Sequence, residues 1–302
     1  MFWQCAMAGD IQWSIAKADV VRQINNDLKP NVPTADIAIY YPSNFDAAFA
    51  AKTPLDGALI EQFVRAKEIF AVAGVQLNLL WIKTGEVDPA FFEIQSNDMT
   101  GSTPGGAHVN MYQDNRREAS SLSAEARRAF EAIVENDESN DRTIYLVVLQ
   151  NVFMSFFERV DERTWQIRTI STRGLSFPSY SYDDIPRRLR GVITIDKDDP
   201  LKRLVAHELG HKLMNVSHEY REIDPQHEVR AEGGLMLYGS GTEIGAGKEE
   251  RWHRERLHLS PYIYRQAEDG MKTWNADYQE GGHYYDPIYG DKVVDFHPAA
   301  GT

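Results

Sequence analysis

His207-Glu208-Leu209-Gly210-His211, followed by His218 and later by Gly234-Leu235-Met236-Leu237-Tyr238, is the stretch on which the reading of this chain turns. On an α-helix His207 and His211 are four residues apart and so lie roughly 40° apart around the axis, stacked on one face, where both imidazoles can reach one ion. Glu208 projects beside them, placed to work on water rather than to bind the metal. Three imidazoles and a carboxylate at this spacing are what a hydrolytic zinc site needs.

The helix that carries the motif can be read from its ends. Asp199 is a good N-cap, and Pro200 suits the first turn, where its missing N–H costs nothing. Leu201, Leu204, Val205, Leu209 and Leu213 supply apolar surface to bury it. Gly210 sits mid-helix at a cost of about 1 kcal/mol against alanine, which predicts a close approach by another piece of backbone. Were the helix to continue, His218 would lie about 10.5 Å beyond His211 along the axis, too far to share a zinc. The helix must therefore stop and the chain fold back. Asn215 is the expected stop, since asparagine tolerates the left-handed conformation of a helix C-terminus.

These residues resemble the metzincin metallopeptidases, whose pattern is H-E-x-x-H-x-x-G-x-x-H with a methionine-containing turn downstream. Met214 stands where that pattern has glycine and Ser217 where it has the third histidine. A one-residue insertion restores the match, moving the turn to Asn215 and the third ligand to His218. The resemblance implies that Met236 forms an apolar floor under the imidazoles. It also implies that Tyr238, two residues on as in the astacin-like and serralysin-like branches, points at the metal. His218-Glu219-Tyr220-Arg221 looks like the astacin segment that begins with the third histidine.

On this resemblance the expected activity is zinc-dependent endopeptidase cleavage of a peptide or protein substrate. His207, His211 and His218 hold Zn2+, Glu208 is the general base, and Tyr238 stabilises the oxyanion. Two alternatives stay open. A glutamate from a following helix, Glu228 or Glu232, could replace His218 as third ligand, as in gluzincin-type peptidases. The site could also serve a different, non-peptidase zinc hydrolysis or a binding role.

The implied fold is mixed α/β of the α+β kind and zincin-like: a twisted mixed sheet with two helices in an upper lobe, the active-site helix, and a smaller irregular or helical C-terminal lobe. Residues 1–34 read as an N-terminal extension and 35–302 as the catalytic domain, with its upper lobe over about 35–214 and its lower lobe over about 215–302.

Composition is that of a folded globular chain: 302 residues, 42% hydrophobic and 25% charged. The net charge of -13 argues against a nucleic-acid partner, which would need a basic face. Cys5 is the single cysteine, so no internal disulfide framework is expected, and its flanks lack those of a cysteine-switch inhibitor. The first nine residues lack the basic start and apolar length of a signal peptide, and no segment reaches the roughly 18 apolar residues of a membrane span. Cytoplasmic and bacterial secreted locations both fit, and the oligomeric state is left open.

Along the chain, residues 15–28 read as a short polar helix and 37–41 as a strand ended by Pro42. A helix follows over 55–73, closed by Gly74, and a strand over 75–82. Residues 97–118, rich in Ser, Gly, Asn and Asp, read as an exposed insertion. A helix is expected over 123–135, a central strand over 143–149, and another at 192–195 just before the motif helix. Residues 166–177 are expected to hold an edge strand able to pair with an extended peptide. A further helix is expected within 248–267, where His253 and His258, on different faces, read as hydrogen-bonding rather than metal-binding residues.

Overall fold

The computed structural model describes residues 11–45, 58–99, 108–109, 116–118, 121–136, 142–177, 182, 185–196, 203–216, 234–236, 241–244, 250–275, 283–285 and 293–295. In chain order the first elements are β1 (Ser14–Ala16), α1 (Ala18–Ile24), β2 (Thr34–Pro42), α2 (Ala58–Val72) and β3 (Gln76–Gly85). Next come β4 (Glu93–Gln95), β5 (His108–Val109), β6 (Arg116–Glu118), α3 (Ala124–Ile133), β7 (Ile144–Leu149), β8 (Asn151–Arg159) and β9 (Trp165–Thr172). The last are β10 (Gly174–Ser176), β11 (Val192–Asp196), α4 (Leu204–Met214), α5 (Glu250–Leu259), β12 (Ile263–Gln266), β13 (Lys272–Trp274), β14 (His283–Tyr285) and β15 (Val293–Asp295). The class is mixed α/β, with five α-helices among the described residues.

The main sheet has the order β1-β3-β2-β7-β11-β10. Its inner strands β3, β2, β7 and β11 run parallel, while β1 and β10 are antiparallel edges. Every residue of β2 and β7 is buried. This is why both read in sequence as nearly unbroken apolar runs: a parallel strand covered on both faces has no solvent side to alternate with. β12 pairs with Thr34 and Ala35 of β2, and β13 extends that hairpin. Residues 14–16 and 18–24, read from sequence as part of an extension, supply β1 and α1, which packs against β3.

The helices follow their local signals. Ser123 caps α3, its Oγ accepting the Ala126 N–H at 2.9 Å, and Ala126, Ala129, Phe130 and Ile133 form the buried stripe. Gly74, at φ 78, closes α2: its N–H donates to Ala71 O at 2.9 Å and that of Val75 to Phe70 O at 3.1 Å, the paired bonds of a Schellman turn. α2 packs on both β3 and α4.

A second sheet grows from the first. After β7 a single residue, Gln150, leads into β8, which pairs antiparallel with β9 along the whole hairpin. One residue after β9, at Gly174, the chain rejoins the main sheet as β10. The span 166–177, read as one edge strand, is therefore two: β9 belongs to the hairpin and only β10 borders β11. Pairing partner rather than composition separates them. β4 runs parallel to the start of β8 and β6 antiparallel to its end, with β5 beyond. Within 97–118, read as an insertion, residues 108–109 and 116–118 are thus paired strands. Among the described residues no helix is long and apolar enough to cross a membrane.

Candidate metal centre

β11 leads toward α4, which packs against β10, β11, α2 and α5, so that all eleven of its residues are buried. The helix begins at Leu204, with the Arg203 carbonyl accepting the His207 N–H at 2.9 Å. Arg203, not Asp199, is its N-cap, and it makes no side-chain cap bond. Asp199 and Pro200 lie outside the described residues. A polar residue before a proline marks where a helix can start, while tertiary contact sets where it does. Here Arg203 turns its guanidinium inward, donating to Leu235 O at 2.7 Å.

His207 and His211 are brought together as the spacing predicts, with Glu208 buried on the same helix. The two imidazoles meet edge to face, with centroids 4.8 Å apart and planes at 85°. His207 Nδ1 lies 2.6 Å from Leu235 O, and His211 Nδ1 lies 2.7 Å from Val216 O. A carbonyl only accepts, so each Nδ1 carries the proton and the ring lone pair sits on Nε2. The 3.2 Å approach of Arg203 Nη1 to His207 Nδ1 then follows from two donors sharing the Leu235 oxygen. Burial lowers both imidazole pKa values, that of His211 to about 4 and that of His207 well below its usual range, with the neighbouring His211 lowering His207 further. Neutral imidazoles oriented through Nδ1 are the form that ligates a metal.

Asn215 ends α4 in the left-handed conformation, φ 52 and ψ 53, as its residue type predicts. That turn is what carries the Val216 carbonyl back to His211. Arg256 of α5 closes the same end, its Nε donating to Met214 O at 2.7 Å and its Nη2 to Asn215 O at 3.1 Å. A cation at a helix C-terminus also complements the helix dipole.

Met236 and Leu235 are fully buried under α4. A Cβ added to Gly210 would stand 2.6 Å from Met236 Sδ and 3.3 Å from Leu235 Cδ2. The close approach expected at Gly210 is real, but it is made by side chains rather than by backbone. Lys212, one turn beyond Glu208, donates to Phe177 O at 2.7 Å and Arg190 O at 2.6 Å, tying α4 to the exit of β10. Its burial lowers the ammonium pKa to about 7, with Glu208 acting in the opposite direction.

His218, Tyr238, Glu228 and Glu232 lie outside the described residues. Among those described, no group of three or more His, Cys, Asp or Glu side chains is gathered around one point. His258 Nε2 donates to Ala73 O at 2.8 Å, in a hydrogen-bonding role. A groove of about 750 Å3 lined by residues including Val20, Ile24, Ile60, Val64 and Gln76 shares no lining residue with α4, β10 or the Met236 turn. Arg203, Gly174, Lys212 and Arg256 were not singled out from sequence. Of these only Gly174 carried a signal, being a glycine within an expected strand.

The chain matches no protein-family model. No curated protein is similar to it in sequence.

Proposed function

We propose that the chain is a zinc-dependent endopeptidase with a metzincin-type, zincin-like site. The observation that carries this reading is the pair of buried imidazoles, His207 and His211, each held by a carbonyl at Nδ1 above a turn whose methionine packs into the gap left by Gly210. Their donor chemistry fits zinc: two neutral nitrogens, with Glu208 alongside and not required as a ligand. His218 completes the set in this reading, which is supported by the left-handed turn at Asn215 that ends α4 four residues after His211. That turn favours His218 over Glu228 or Glu232.

Zinc bound there supplies Lewis acidity, lowering the pKa of water toward ~7 and polarising the scissile carbonyl. Glu208 takes the proton of the attacking water and returns it to the leaving nitrogen. Tyr238 donates a hydrogen bond to the developing oxyanion. β10, the terminal strand of the main sheet, offers backbone groups along which an extended peptide can be aligned. Arg203 and the Leu235 carbonyl keep His207 in one orientation throughout.

Glu208→Gln is the direct test. Zinc stoichiometry should be unchanged while cleavage of an unstructured protein falls at least ~10²-fold, the contribution expected of a general base. Native turnover at native metal content would refute the role of Glu208, and cleavage indifferent to a zinc chelator would refute the reading as a whole.

A further inference from the structure

We propose that Gly174 is a positioning residue: the missing side chain at this point of β10 is what seats the Glu208 carboxylate. A Cβ built on Gly174 would lie 2.8 Å from both Cγ and Oε1 of Glu208 and 3.0 Å from its Cδ, inside the distance that real Cβ atoms keep. Glu208 is 4% exposed and its helix packs against both β10 and β11, so the side chain has little room to retreat.

The backbone supplies no other reason for glycine. The positive-φ glycines among the described residues are Gly74 and Gly270, and Gly174 holds an ordinary antiparallel ladder position opposite Ile195. Within a strand, glycine loses more conformational freedom on folding than any other residue and packs nothing. Its place in a short edge strand therefore runs against local preference and is explained by what lies across from it. A methyl group at 174 would displace the carboxylate from the place it takes against β10. The consequence for catalysis rests on the proposed role of Glu208 as general base.

The test is a double-mutant cycle between Gly174→Ala and Glu208→Ala, read by thermal melts of the metal-free protein, with kinetics on zinc-loaded Gly174→Ala. In the native background Gly174→Ala should lower the Tm. In the Glu208→Ala background, where the seat is empty, the same substitution should hold or raise it. Gly174→Ala alone should keep zinc stoichiometry and KM while kcat falls about 100-fold, the scale of a misplacement near 1 Å. Should Gly174→Ala fail to fold, recovery of folding by adding Glu208→Ala supports the seat, and a double variant that also fails overturns it. Equal Tm shifts in the two backgrounds, or native kcat in Gly174→Ala, overturn it as well. If the native protein cleaves no peptide, the hydrolytic reading falls separately, and the melts still decide whether Gly174 seats Glu208.

Discussion

Gly210 illustrates how one residue can be set against its own helix. Alanine there would gain about 1 kcal/mol of helix propensity. Its Cβ, however, would meet Met236 Sδ at 2.6 Å and both Leu235 Cδ2 and Met214 Cε at 3.3 Å, all in side chains with no exposed surface. Overpacking of this kind costs about 1–3 kcal/mol, softened by the adaptability of two methionines. Gly210→Ala is therefore expected to lower stability by about 1 kcal/mol net in denaturant melts. Zinc affinity should fall about tenfold, because the displaced turn carries the carbonyl that orients His207. A variant as stable as the native protein with unchanged zinc affinity would mean that Met236 is not held in that gap.

Among elements, α4 stands out for being fastened by cations along its length. Arg203 holds the Leu235 carbonyl at its start, Lys212 reaches the Phe177 and Arg190 carbonyls, and Arg256 covers its C-terminal carbonyls. Arg256 is 8% exposed, so its loss would leave buried acceptors without donors. Arg256→Ala should cost about 2–3 kcal/mol by denaturant unfolding, the worth of hydrogen bonds to a charged group plus the unmet carbonyls. Arg256→Lys should recover part of it, since charge near the helix end is kept but the two-pronged geometry is lost. Equal loss in both variants would assign the effect to packing of the long side chain instead.

At the scale of the whole molecule, parallel strands β2, β7 and β11 form the buried middle, and the candidate centre lies where α4, following β11, passes the antiparallel edge strand β10. On the proposed reading, a zinc held by His207 and His211 on α4 and by His218 beyond the Asn215 turn would link folding to metal binding. Chelation should lower the Tm, and restored zinc at about 1,000 times its Kd should return about 4 kcal/mol of stability. In metal titrations His218→Ala should lose tight zinc binding, whereas Glu228→Ala and Glu232→Ala should keep it. The reverse pattern would replace the His218 ligand with a glutamate.

The motif helix, its stop at Asn215, the cap at Ser123, the glycine close of α2 and the central strands were all legible in the residues themselves. Each rests on local chemistry: helical spacing, a hydroxyl at an N-cap, tolerance of positive φ, or an unbroken apolar run. The true start of α4, the division of 166–177 between two sheets, and the paired strands within 97–118 were not legible, because they depend on partners far away in the chain. The same holds for the surroundings of Glu208 and the imidazoles. Nothing next to Arg203 or Arg256 in sequence marks either as a buried donor, since carbonyls at Leu235, Met214 and Asn215 become acceptors only once the chain has folded. Gly174 belongs with them: a glycine in a strand hints at a close approach, but that the approaching group is the Glu208 carboxylate follows solely from α4 packing across β10.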